Sequence, residues 1–141
     1  MPDEARNVEV LKKAYKRWHE TRGGSADEWL EICSDRIAFG SLAQGPEGAR
    51  YLTSYQSRDA LKDYFKGLSN DWEMIEFVAE HFVAQDDRVV MLGRCAWRHR
   101  RTRKEVESPL VHVWRFRDGK ATEYYELYDT AKAFAAARAD P

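Results

Sequence analysis

The chain has little cysteine: two residues in 141, Cys33 and Cys95. They form no metal-ligand spacing, so free thiols in a reducing cytoplasm are expected. Net charge is nearly absent, with 23 Lys and Arg against 24 Asp and Glu. No whole-chain field therefore favours nucleic acid or an anionic membrane. No apolar run is long enough to span a bilayer. The start from Met1 to Asn7 lacks the apolar stretch of a signal peptide. Internal repeats and low-complexity tracts are missing too. These absences predict a cytoplasmic protein with no nucleic-acid and no membrane partner.

What the chain does have is aromatic surface. Aromatic residues make up 13%, five of them Trp, within an ordinary hydrophobic content of 43%. Large rings with a polar tip suit a core, a ligand pocket or a subunit interface. The length fits one domain over residues 1–141. Such a chain buries roughly two-thirds of its unfolded surface, enough for a core.

Val8, Leu11, Tyr15 and Trp18 lie at helical spacing, with Asn7 as a candidate cap and Gly23-Gly24 as the stop. Ser25-Ala26-Asp27-Glu28 reads as a capping box before a short helix through Trp29 and Leu30. Ile37-Ala38-Phe39 is a short strand. Gly40 to Ser54 reads as a long loop, either a mobile lid or a tolerated surface insertion. Ser57 caps a third helix carrying Leu61, Tyr64 or Phe65, and Leu68. Strands follow over Trp72–Ala84, Arg88–Arg98, Glu105–Phe116 and Ala121–Tyr128. Pro109 marks an edge or a bulge, and Asp129 caps an Ala-rich tail helix to about Arg138. Helices first and then a meander indicate an α+β fold with helices on one face of the sheet. A curved sheet folded over helices leaves a concavity where small ligands bind.

The chemistry concentrates between Val111 and Thr130. Glu126 stands between Tyr125 and Leu127, where a strand is half buried. A buried carboxylate costs several kcal/mol unless paired or protonated. Glu126 is thus either a satisfied strand carboxylate, paired with an Arg such as Arg94 or Arg115, or a group kept for chemistry. In an apolar pocket desolvation would favour its neutral form and suit it to acid–base work. His112 is a candidate partner or a hydrogen-bonded core histidine. The turn decides between them. A two-residue Asp118-Gly119 turn pairs Val111 with Glu126 and sends His112 to the other face. A three-residue loop, Arg117-Asp118-Gly119, pairs Leu110 with Glu126 and puts His112, Tyr124 and Glu126 on one face.

The run from His112 to Lys120 followed by Tyr124-Tyr125-Glu126-Leu127-Tyr128-Asp129-Thr130 resembles the C-terminal hairpin of SnoaL-like proteins. These belong to the nuclear transport factor 2-like superfamily, with ketosteroid isomerase, limonene epoxide hydrolase and scytalone dehydratase. The helix with Tyr15 before Gly23-Gly24, Ser57-Arg58-Asp59-Ala60-Leu61 and Asp87-Arg88-Val89-Val90 extend the likeness over nearly the whole chain. The resemblance implies a cone-shaped, curved antiparallel sheet packed on N-terminal helices, and a homodimer formed through the sheet. It also implies an acid or base acting on a hydrophobic small molecule with no metal and no organic cofactor. It selects the three-residue loop.

By the same resemblance, Glu126 matches a catalytic Asp of SnoaL-like cyclases, which also place a His in that pocket. Tyr15 matches the oxyanion donor of ketosteroid isomerase, or else is a core aromatic. Trp18, Phe39, Trp97, Trp114, Tyr124 and Tyr128 are candidate pocket walls. Two departures stand out. The isomerase base would fall near Gly40, and the hydrolase Arg and Asp near Gly93 and Cys95. The expected functions are an acid–base isomerase, cyclase, dehydratase or hydrolase, or a non-catalytic binding or dimeric interaction protein. Arg98 to Lys104 is a basic turn, read as solvated or as an anionic-partner patch. His19, His81 and His99 form no ligand set.

Overall fold

A computed structural model describes residues 3–41 and 57–140. Helix α1 covers Glu4–Glu20. Its cap is Asp3, whose carboxylate accepts from Arg6 N at 3.0 Å, and not Asn7. Asp3 offers the same capping chemistry one turn earlier, with Glu4 favourable at the helix N-terminus. Asn7 is instead buried inside the helix, beside Leu11, Ala14, Tyr15 and Trp18. Gly23, at φ +82°, ends the segment and donates to Trp18 O at 2.9 Å.

Helix α2, Ala26–Ile32, follows Ser25, whose side chain makes no cap bond. The expected capping box is absent because Glu28 turns outward to Arg17 Nε at 3.2 Å. Strand β1 is longer than expected, Cys33–Ser41. Gly40 and Ser41 of the expected loop therefore belong to it, and the rest of that loop, 42–54, lies outside the described residues. Helix α3, Arg58–Asp71, is capped as expected by Ser57, which accepts from Ala60 N at 3.0 Å.

Strands β2 (Trp72–Gln85), β3 (Arg88–His99), β4 (Glu105–Arg117) and β5 (Lys120–Tyr128) form the meander, and helix α4 is Thr130–Ala137. The sheet order is β1-β5-β4-β3-β2. All pairs are antiparallel except β1 with β5, which is parallel. Pro109 sits in an interior strand, yet the β4–β5 ladder begins only at Leu110↔Tyr128. Beside Pro109 there is thus no β5 partner to miss its amide. Register shifts at Met74/Glu76 and Ala79/His81 place extra residues in β2, and such bulges bend a strand and increase its twist. The helices pack on one face: α1 on β2 and β3, α3 on β1 and β2, α4 on β4 and β3. The result is an α+β fold with a curved, open sheet, as the sequence indicates. Leu11, Tyr15, Trp29, Ile37, Met91 and Trp114 are core residues between the layers.

The last hairpin follows neither expected register. Arg117 pairs with Lys120, so the turn has two residues, with Asp118 at φ 52° and Gly119 at φ 80°. Positive φ at both centres is the turn whose twist matches a hairpin. The ladder then shifts between Arg115↔Glu123 and Phe116↔Ala121, leaving Thr122 as a bulge. That one extra residue moves Glu126 from Val111 to directly opposite His112.

Candidate active site

The alternation of β4 and β5 aims His112, Trp114, Tyr124 and Glu126 at the helices. They meet Tyr15, which α1 carries on its buried face. His112 Nε2 lies 2.9 Å from Glu126 Oε2. Tyr15 Oη lies 2.6 Å from His112 Nδ1, and Trp114 Nε1 donates to that same oxygen at 2.8 Å. Tyr124 donates to Glu126 Oε2 at 3.2 Å and stands 3.1 Å from His112 Nε2. Tyr64 of α3 reaches Glu126 Oε1 at 3.5 Å, the long limit of a hydrogen bond.

The His112 and Glu126 side chains are 5% and 15% exposed. A carboxylate this buried is tolerable because charge-assisted donors converge on it. Burial raises the Tyr15 phenol well above its ordinary value; the Trp114 bond opposes this and the Glu126 charge adds to it. Burial raises Tyr124 in the same way, again reinforced by Glu126. The alternative in which Glu126 pairs with Arg94 or Arg115 is not what the ladder produces. Those residues occupy the opposite sheet face, bonded to Glu76 and Asp87, each at 2.7 Å.

A cavity of about 120 Å³ adjoins Glu126. Tyr15, His112 and Glu126 line it together with Trp18, Trp97 and Trp114, and Tyr124 and Tyr128 complete the expected set. Phe39 does not. It is 1% exposed and packs edge-on behind Tyr64, with ring centroids 5.8 Å apart. The sequence reading missed Trp29, which stacks on Trp114 at 5.4 Å and 9° between planes. It also left Tyr64 undecided within the α3 stripe. No local signal marks Trp29, since a short helix after Gly-Gly says nothing about what it will cover. Cys33 and Cys95 line the cavity as thiols pushed up to about 12, mainly by burial. They are poor nucleophiles in that state.

Position 93 has no room for a side chain, because a Cβ there would lie 2.2 Å from Val78 O. An arginine of the epoxide-hydrolase kind is therefore sterically excluded at that point. The basic turn is structural. Arg98 pairs with Glu105 and Glu73, Arg101 donates to Ala137 O and Lys104 to Arg138 O. These bonds satisfy carbonyls at the C-terminal end of α4. His99 accepts from Arg101 N and Thr102 N in the same turn. Among the described residues no group of three His, Cys, Asp or Glu could hold a metal, and no helix is long and apolar enough to cross a membrane.

Fold and site together define a helix-covered, open α+β sheet whose aromatic cavity holds a His–Glu pair. The SnoaL-like domain model matches residues 12–124, and the chain belongs to that family. Solved structures agree on the fold. An NTF2-like protein from Burkholderia thailandensis is 22% identical, with TM-score 0.77, covering 96% of this chain and 98% of its own. A proposed SnoaL-like polyketide cyclase from Jannaschia sp. CCS1 is 18% identical, with TM-score 0.79, covering 100% and 97%. TerC, co-crystallised with polyporic acid, is 19% identical, with TM-score 0.75, covering 94% and 98%. No curated protein matches the sequence.

Proposed function

We propose that this chain, as one domain over residues 1–141, is a cofactor-independent acid–base enzyme acting on a hydrophobic small molecule. The reaction is of isomerase, cyclase, dehydratase or hydrolase type. Glu126 is the general base, His112 its direct partner, and Tyr15 the residue behind His112. The observation that carries the reading is the Glu126 carboxylate, held by His112 Nε2 at 2.9 Å on the wall of an aromatic cavity. A carboxylate held in place beside the bound ligand needs no positioning at the moment of proton transfer. The described lining includes no Lys or Arg, so it offers an anionic ligand no counter-charge. An apolar cavity of roughly 150 Å³ accepts benzene, so the 120 Å³ here suits one ring of a flat, neutral ligand. TerC's ligand, polyporic acid, is consistent with a small-molecule occupant. The free thiols accord with a cytoplasmic location.

The test uses 5-nitrobenzisoxazole, a small, flat, neutral carbon acid. Its ring C–H proton passes to Glu126 while its N–O bond breaks, releasing a coloured cyanophenolate. Wild type should exceed the rate with acetate at equal carboxylate concentration. Glu126→Gln should lose about 10²-fold or more with an unchanged circular dichroism spectrum. Equal rates in both chains would remove the catalytic reading.

The second reading is a ligand carrier. Gly40, Gly93 and Cys95 favour it, since the isomerase base and the hydrolase Arg and Asp used elsewhere in the superfamily have no counterpart there. It predicts that Glu126→Gln leaves probe affinity unchanged and that neither chain turns the probe over.

A further inference from the structure

The hydrogen bonds behind Glu126 have a direction that donor counting determines. An indole N–H can only donate, so Tyr15 Oη accepts from Trp114 Nε1 at 2.8 Å. Burial keeps the Tyr15 phenol protonated, and its single hydrogen needs an acceptor. His112 Nδ1, 2.6 Å away, is that acceptor. The remaining ring proton then sits on Nε2, aimed at Glu126 Oε2 at 2.9 Å. The opposite direction fails at Trp114. An Nδ1–H would donate to an oxygen already accepting the indole proton. The phenol hydrogen would then turn towards apolar rings, with Trp29, Phe77 and Phe82 centroids at 4.8, 5.8 and 5.9 Å.

We propose that Trp114 and Tyr15 are positioning residues that fix the chain Trp114→Tyr15→His112→Glu126, so that His112 carries one proton, on Nε2, and serves Glu126 only as a donor. Neither residue touches the reacting atoms in this role. The catalytic consequence rests on the acid–base reading above. A proton taken from the ligand goes to Glu126 and no further, because both ring nitrogens are already committed. The same carboxyl must then return it, which suits reactions that move one proton within a substrate, as in isomerisation or ring closure. The role implied for Tyr15 by resemblance, donation to a substrate oxyanion, is replaced by donation to His112.

The test is long-range proton–nitrogen correlation on the full chain labelled with ¹⁵N-histidine at neutral pH, with His112→Gln assigning the resonances. Wild type should show Nε2 protonated and Nδ1 bare. In Tyr15→Phe, which keeps the ring and removes only the hydroxyl, Glu126 still holds the proton on Nε2, and the bare Nδ1 resonance should move downfield as it loses the donor it accepts from. Trp114→Phe should move it the same way by a smaller amount, since the Tyr15 hydroxyl then loses the indole donor that orients it. An Nδ1–H in wild type, or a Tyr15→Phe pattern identical to wild type, overturns the proposal. With the benzisoxazole probe, Tyr15→Phe should lower kcat roughly tenfold, the order of one hydrogen bond, with KM unchanged. No turnover in wild type would end the acid–base reading alone, while the nitrogen spectra still decide the direction of the chain.

Discussion

Burial holds protonated two of the phenols that touch the His112–Glu126 pair, those of Tyr15 and Tyr124. Tyr15 and Tyr124 both stand well above the ordinary phenol value, by desolvation first and with the Glu126 charge adding. Their folded values exceed the unfolded ones, so the unfolded chain ionises first as pH rises. Their contribution is therefore complete below about pH 10 and is lost above it. Denaturant titrations should show stability falling beyond that pH. Phenolate absorbance of the folded protein should leave these two of the seven tyrosines untitrated until unfolding; uniform titration near the ordinary value would contradict it. Glu126 and His112 were legible in the sequence, since a carboxylate and an imidazole on facing strands demand an explanation. Trp114 was legible only as a candidate wall, and its bond to Tyr15 was not foreseen, because the two stand 99 positions apart.

At the scale of elements, the site depends on irregularities. The Asp118-Gly119 turn alone would pair Val111 with Glu126, and the Thr122 bulge shifts the ladder by one to His112. A bulge carries no strong sequence signature, as it answers to sheet curvature rather than to local preference. Hence the shared face of His112 and Glu126 was anticipated, but through a loop the structure does not contain. Gly93 is the second such irregularity. It allows the backbone of β2 to approach β3 beside the bulge at Ala79/His81. Gly93→Ala should cost about 3 kcal/mol, the upper end for overpacking, because the obstacle is a backbone carbonyl that cannot rotate away. Chemical denaturation measures this, and a loss below about 0.5 kcal/mol, within the usual range for neutral surface changes, would show that the strands separate freely.

For the whole molecule, the sheet face turned away from the helices carries two apolar rows. Leu92, Val111 and Leu127 are consecutive across β3, β4 and β5, as are Val90, Val113 and Tyr125, of which Tyr125 is already buried within the chain. Leu92 is 39% exposed. An exposed contiguous apolar row marks an interaction surface, and a homodimer through the Leu92–Val111–Leu127 row is the assembly we propose. Sedimentation should find a dimer at micromolar concentration and a monomer for Leu92→Glu; a monomeric wild type would dismiss the interface. The sequence by itself determined the order of the elements, the caps at Ser57 and Asp129 and the α+β class, and its resemblance to SnoaL-like proteins pointed to the family. Period, capping and turn chemistry are local, and a chain states them locally. Only the tertiary structure decided that Phe39 stays behind the wall, that Trp29 enters the cavity's lining, and that Tyr15 spends its proton on His112. Those outcomes depend on which helix crosses which strand, and at what register, which no stretch of neighbouring residues specifies.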